Sequence, residues 1–183
     1  MHRIRILALT LTLASCLALA AHPGAAGEAG AAPLPALERF KALAGEWVAA
    51  EDGEMVKEGD LVARYAVTAA GSAVVETVFP GTPHEMVTVY HADGKDLVLT
   101  HYCMEGNQPR MRAKGTSGSH VELAFDGGTN LDARRDRHMH SAWVDFVGPN
   151  EIRSEWTEKQ AGDTVLVVKM HLVRKTDQQG AGR

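Results

Sequence analysis

Cysteine is nearly missing from this chain: its 183 residues contain two, Cys16 and Cys103. Such a count excludes a disulfide-stapled fold, so the domain must hold together by packing alone. Cys16 sits in an N-terminal segment that is either removed or capped by lipid, which leaves Cys103 without an intramolecular partner. It is then a buried small apolar residue, an inter-chain pairing partner or a reactive thiol. Aromatic residues are scarce at 5 %, and positive charge shows no excess, with 19 Lys and Arg against 23 Asp and Glu. The formal charge is −4; it falls further without Arg3 and Arg5. No basic stripe with interleaved aromatics exists, which excludes a nucleic-acid-binding surface. There is also no nucleophile elbow and no glycine-rich phosphate loop opening a helix. Cys103 and His101 share a strand face, but no acid is placed to orient them, so the sequence predicts no catalytic residue.

No apolar run is long enough to span a bilayer. The longest, ILALTLTLASCLALAA, has about sixteen residues where a spanning helix needs roughly twenty. With Arg3 and Arg5 before it and small residues after it, the run reads as a signal for export over residues 1–21. Export to the periplasm or beyond is the expectation. Two processing routes are open. LASC (Leu13–Cys16) resembles the lipobox of bacterial lipoproteins, which would make Cys16 a lipid anchor and the chain's one link to a membrane. ALA (Ala18–Ala20) offers ordinary cleavage, favoured by the apolar run continuing past Cys16. Residues 22–33, mostly Ala, Gly and Pro, read as a flexible linker, and 177–183 as a frayed tail.

What remains, 34–176, is one domain's length and can bury a core without staples. LPALERFKALAG predicts one short helix, with Leu37, Phe40 and Leu43 on one face and Gly45 as its stop. Everything after it alternates like strands: EWVAAE, DLVARYAVTA, SAVVETVFP, EMVTVYHA, KDLVLTHYC, PRMRAKG, HVELAFD, NLDARRD, HMHSAWVDFV, EIRSEWTEK and TVLVVKMHLVRK. ADGK, MEGN, DGG, VGPN and QAGD between them are hairpin-length links. About ten strands so joined predict an all-β, antiparallel up-and-down meander, and closing it into a barrel removes the exposed edges.

The helix followed by GEW (Gly45, Glu46, Trp47) resembles the G-x-W entrance of lipocalin-like (calycin) barrels, and the resemblance extends over nearly all of 34–176. YAVTAAGSAVVETVFPGTPHEMVTVYHADGKDLVLTHY is similar to secreted bacterial members of unassigned function. The resemblance implies that Trp47 plugs one barrel end and that Arg174, in HLVRK, stacks on it. The haem-binding nitrobindins resemble this architecture too, but carry a longer glycine pattern after the Trp. Val48, Ala49 and Ala50 stand there in this chain, so no haem is predicted.

The most polar stretch is LTHYCMEGNQPRMR, 99–112. Turns centred on Asp93–Gly94 and Glu105–Gly106 set His84, Met86, Thr88, His101, Cys103, Gln108, Arg110 and Arg112 on one face. Val87, Val89, Val98, Thr100, Tyr102, Met111 and Ala113 take the other. Either the polar face is solvated or it lines a cavity. In the second reading Arg110 and Arg112 meet an anionic group, with His101, Tyr102, Cys103 and Gln108 around it and Tyr65, Trp47 and Trp156 as apolar wall. A one-residue bulge in either turn would exchange the faces.

His138 and His140 in RHMHSAWVDF point to one face of a strand about 7 Å apart, a spacing that chelates a transition metal if a third ligand converges. His101, His84, His171 and Glu85 are the candidates. If GPN is the loop, Phe146, Val144 and Ala142 share that face with Ile152, Ser154 and Trp156, and the histidines point inward. If PN alone is the loop, they point outward. Glu76 reads as a solvated strand carboxylate, and FPGTPHE (79–85) as a rigid rim. Three functions stand: a barrel binding a small ligand with no resident cofactor, a metal protein or metal enzyme using His138, His140 and His101, and an envelope domain with a filled core. The number of subunits is not legible.

Overall fold

The computed structural model describes residues 35–176; the export segment, Cys16, the linker and the tail lie outside the described residues. Helix α1 (Pro35–Ala42) begins on a proline, whose missing N–H costs nothing at a first helical position. Ala36, Leu37 and Phe40 form its buried face, and Leu43 continues it. Ten strands follow: β1 (Gly45–Ala49), β2 (Leu61–Thr68), β3 (Ala73–Val78), β4 (Met86–Asp93), β5 (Asp96–Tyr102), β6 (Gln108–Ser117), β7 (His120–Thr129), β8 (His138–Gly148), β9 (Glu151–Gln160) and β10 (Asp163–Arg174). Each pairs antiparallel with its sequence neighbour, and β1 pairs with β10 through Trp47↔Arg174, Val48↔Val173 and Ala49↔Leu172. The meander therefore closes into an up-and-down barrel, and closure leaves no free edge.

The segment NLDARRD is not a strand. The Asp136 carboxylate accepts the Asp132 N–H at 2.8 Å, and the Asp132 carbonyl accepts the N–H groups of Arg135 and Asp136. Two aspartates four residues apart give the backbone local partners that compete with a ladder.

Inside, one layer can be followed around the wall through Leu99↔Met111, Met111↔Phe125, Leu123↔Ala142 and Ala142↔Trp156. The outer face carries ion pairs such as Arg64–Glu46 and Lys169–Glu155. Apolar inside and charged outside is the reverse of the pattern of outer-membrane barrels.

An up-and-down barrel sends alternate links to opposite ends. The links at 69–72, 94–95, 118–119 and 149–150 share an end with α1. Phe40 stacks on Tyr90 at 4.2 Å and meets Phe146 edge-on at 5.3 Å, so the helix plugs this end. Trp47 Nε1 donates to the Leu43 carbonyl at 2.7 Å, and Arg174 donates to the carbonyls of Ala42 and Ala44, both at 2.7 Å. Carbonyls that the helix end leaves unpaired are thereby satisfied. The Arg174 guanidinium lies 4.7 Å from the Trp47 ring centre. Gly45 has φ +128°, and a Cβ there would lie 3.0 Å from Arg174 Nη1, which is why glycine opens G-x-W. The opposite end is formed by the links at 50–60, 79–85, 103–107, 130–137 and 161–162.

Candidate functional site

One cavity lies at the end away from α1 and measures about 110 Å³; a wider cleft of about 690 Å³ adjoins it between the 51–56 loop and β9–β10. The lining of the smaller cavity draws on both sides of the barrel. Met86 and His101 come from β4 and β5; Met139, Trp156, Val168 and Met170 come from β8, β9 and β10. The His101 and Trp156 rings lie 5.4 Å apart, which ties the two sides together. Met55 and Met104, on the end loops, are exposed at the mouth.

His101 is the polar centre of this lining. It is 3 % exposed. Thr88, its cross-strand partner, holds Nδ1 through Oγ1 at 2.9 Å. Nε2 is buried without any hydrogen-bond partner. Burial holds the imidazole's pKa down at about 4, so the ring is neutral at ordinary pH. The second polar pair is Glu158, 2 % exposed, whose carboxylate accepts from Arg137 Nε at 2.7 Å and Nη2 at 2.6 Å. Arg137 is positioned in turn by Asn107, whose Nδ2 donates to its carbonyl at 2.7 Å. Cys103 is half-buried at the cavity, and burial pushes its thiol pKa up, so it is a poor nucleophile.

The hairpins explain which predicted residues meet here. The first turns on Gly94–Lys95, one residue later than expected, with Gly94 at φ +59°. Partners therefore shift by two and faces are kept, which brings Thr88 rather than Met86 opposite His101. The second has a three-residue loop, Met104–Gly106, closed by Cys103 N–H to Asn107 O at 3.1 Å, with Gly106 at φ +79°. One extra loop residue exchanges the faces of β6, so Leu99 pairs with Met111, and Arg110 and Arg112 pair with Thr100 and Val98. Both arginines thus stand outside the barrel, away from His101. Arg112 contacts Asp93 at 2.7 Å, Asp96 at 3.0 Å and Asp126 at 3.1 Å, and Arg110 contacts Asp93 at 3.2 Å. The Arg112 hydrogen bond also holds the Asp93 carboxyl below its usual range.

Of the other predicted site residues, Trp156 and Cys103 line the cavity. Tyr102 is exposed. Gln108 accepts from Thr129 at 2.8 Å at the β6–β7 margin. Trp47 belongs to the plugged end. Tyr65 is buried, but its hydroxyl donates to Glu76 at 2.6 Å, as does that of Tyr90. Glu76 is therefore not solvated; it is 2 % exposed, and burial pushes its carboxyl pKa up against these two hydrogen bonds.

The link is Pro149–Asn150, with Gly148 paired to Glu151, but a bulge between Phe146 and Gly148 gives the faces expected of a GPN loop: Phe146↔Ile152, Val144↔Ser154 and Ala142↔Trp156. The histidines still miss the cavity, because a bulge between Met139 and Ser141 turns Met139 to the lining instead. His138 Nδ1 lies 2.8 Å from the Asp136 carbonyl, and its Nε2 lies 3.1 Å from His140 Nδ1. His171 faces Glu151 at 3.0 Å, and Glu85 accepts the Gly81 N–H. Among the described residues no three His, Cys, Asp or Glu side chains converge as metal ligands.

Sequence reasoning passed over Met139, Met170, Arg137 and Glu158 as cavity residues. The period-two series Leu166, Val168, Met170, Leu172 in VLVVKMHL was a usable signal for Met170. Met139 had none, since the bulge follows from pairing with β9.

No family model and no curated protein matches this chain. Its class rests on the fold: a closed ten-strand, all-antiparallel up-and-down barrel with one helix, compatible with the lipocalin-like architecture.

Proposed function

We propose that this chain is an exported lipocalin-like barrel that takes a small ligand into the cavity opposite α1, with His101 as its polar anchor. The observation that carries this reading is the buried, unpartnered Nε2 of His101 in a lining of mostly apolar side chains, where Arg137 and Glu158 are paired with each other. An unsatisfied buried nitrogen costs about 1–3 kcal/mol, which a ligand's hydrogen-bonding atom would recover. Trp156 and the methionines form walls that adapt to shape. A cavity of about 110 Å³ suits a group near the size of benzene, which a dry cavity of roughly 150 Å³ accepts. Larger ligands would extend through the mouth past Met55 and Met104. With Arg110 and Arg112 neutralised outside, the ligand entering here is a neutral hydrogen-bonding molecule rather than an anion.

The test is an NMR titration with phenol and toluene, read at the Trp156 indole N–H. Phenol is expected to bind about tenfold more tightly than toluene, the worth of one hydrogen bond. His101→Phe should abolish that preference. If neither probe moves the Trp156 signal, the cavity has no ligand-binding role and the filled-core envelope domain takes its place.

A further inference from the structure

The chain has seven methionines, and five of them line this one cavity. Met86, Met139 and Met170 stand on the strands, and Met55 and Met104 guard the mouth. Methionine commonly fills gaps in cores. These side chains have not filled this one: about 110 Å³ stays open beside them. Thioether sulfurs are uncharged, polarisable donors that select soft monovalent ions and give little to Zn(II) or Mg(II).

Among them sits a nitrogen donor with no other partner. In the tautomer whose Nδ1–H donates to Thr88 Oγ1, Nε2 of His101 carries its lone pair. Metal-ligating histidines are held in this way, with the second ring nitrogen donating to a neighbour. The donors also come from two sides of the wall: Met86 and His101 from β4 and β5, Met139 and Met170 from β8 and β10, with His101 against Trp156 across the interior. Soft donors therefore line one cavity from both sides, unlike the His138/His140 pair, whose nitrogens face each other.

We infer that the cavity binds a soft monovalent metal ion, Cu(I) or Ag(I), through His101 Nε2 and the thioethers of Met86, Met139 and Met170. No redox step is involved; the ion enters and leaves in the monovalent state. The inference shares its cavity with the proposed organic-ligand site but does not depend on an organic ligand.

The experiment is an anaerobic titration of the full chain with Ag(I), and with Cu(I) against a chromophoric chelator, in a Cys16→Ser, Cys103→Ser background that removes silver binding by both thiols. One equivalent of each ion should bind and quench Trp156 fluorescence, and Zn(II) at the same concentration should not. Met86→Leu, Met139→Leu and Met170→Leu combined keep the side-chain volumes nearly constant and should weaken binding about tenfold or more. His101→Phe should do the same. Absence of a bound equivalent, or an affinity unchanged in the triple leucine variant, overturns the inference. Phenol binding by the triple variant reports a folded cavity independently. Lost metal binding with phenol binding kept in the parent chain defeats the metal site alone; the reverse defeats the organic-ligand reading alone.

Discussion

At the scale of single residues, the least expected feature is Glu76. One carboxylate between two tyrosine hydroxyls, each at 2.6 Å, is a small closed network inside an apolar barrel. Its acceptors are matched by donors, so removing the centre is worse than never having had it. Glu76→Ala is expected to cost about 3 kcal/mol or more, because two buried phenol groups lose their acceptor. Glu76→Gln should cost less, since the amide oxygen still accepts from one of them. Urea unfolding of both variants checks the order. Nothing local in SAVVETVFP marked this residue as buried. A lone strand carboxylate faces water in most proteins, and the two tyrosines that reverse that choice come from β2 and β4.

At the scale of elements, the hairpins decide more than the residues they carry. The β5–β6 loop of three residues, rather than two, moves Arg110 and Arg112 outside and leaves His101 inside. Arg112→Ala is accordingly expected to leave phenol and metal affinity unchanged. It should lower stability by about 1 kcal/mol or less, with the loss shrinking in high salt, as for surface ion pairs. A large fall in ligand affinity in that titration would contradict the assignment of faces. The join between α1 and β1 behaves differently, because its parts are in close contact: the Arg174 guanidinium lies over the buried Trp47 ring and against Gly45. Gly45→Ala brings a Cβ to 3.0 Å from Arg174 Nη1 at a φ that L side chains rarely adopt. It should cost about 1–3 kcal/mol and change Trp47 fluorescence as the guanidinium shifts off the ring. Gly45, Trp47 and Arg174 were legible in the sequence because their spacing follows chain order. The β6 faces were not, since one loop residue sets them.

At the scale of the whole molecule, the barrel's stability should carry the signature of its interior histidine. His101 is neutral with a folded pKa of about 4, against 6.5 for the free side chain. Below pH 6.5 the unfolded chain takes up a proton that the folded chain refuses, so stability falls as pH drops from 6.5 to 4. The loss levels off below 4 at about 3 kcal/mol. Glu76 works in the opposite sense. Its raised carboxyl pKa favours the protonated folded form, and it loses stability as pH rises through that value. Comparing the wild-type chain with His101→Phe isolates the first effect: the variant's unfolding free energy should be flatter between pH 6.5 and 4. Equal slopes would mean that the ring is hydrated.

The sequence by itself determined the strand count within one, the antiparallel order, the short helix and the Gly45–Trp47–Arg174 join. Each follows from period-two alternation, turn residues or a local steric demand, all of which act between near neighbours in the chain. It also singled out His101 and Trp156. The tertiary structure decided which faces look inward, that Glu76 is buried, and that five methionines share a cavity with His101. Those outcomes turn on one-residue choices in a loop or bulge. A shift of one residue costs little locally but reverses every side chain beyond it, and only the closed barrel selects among the alternatives.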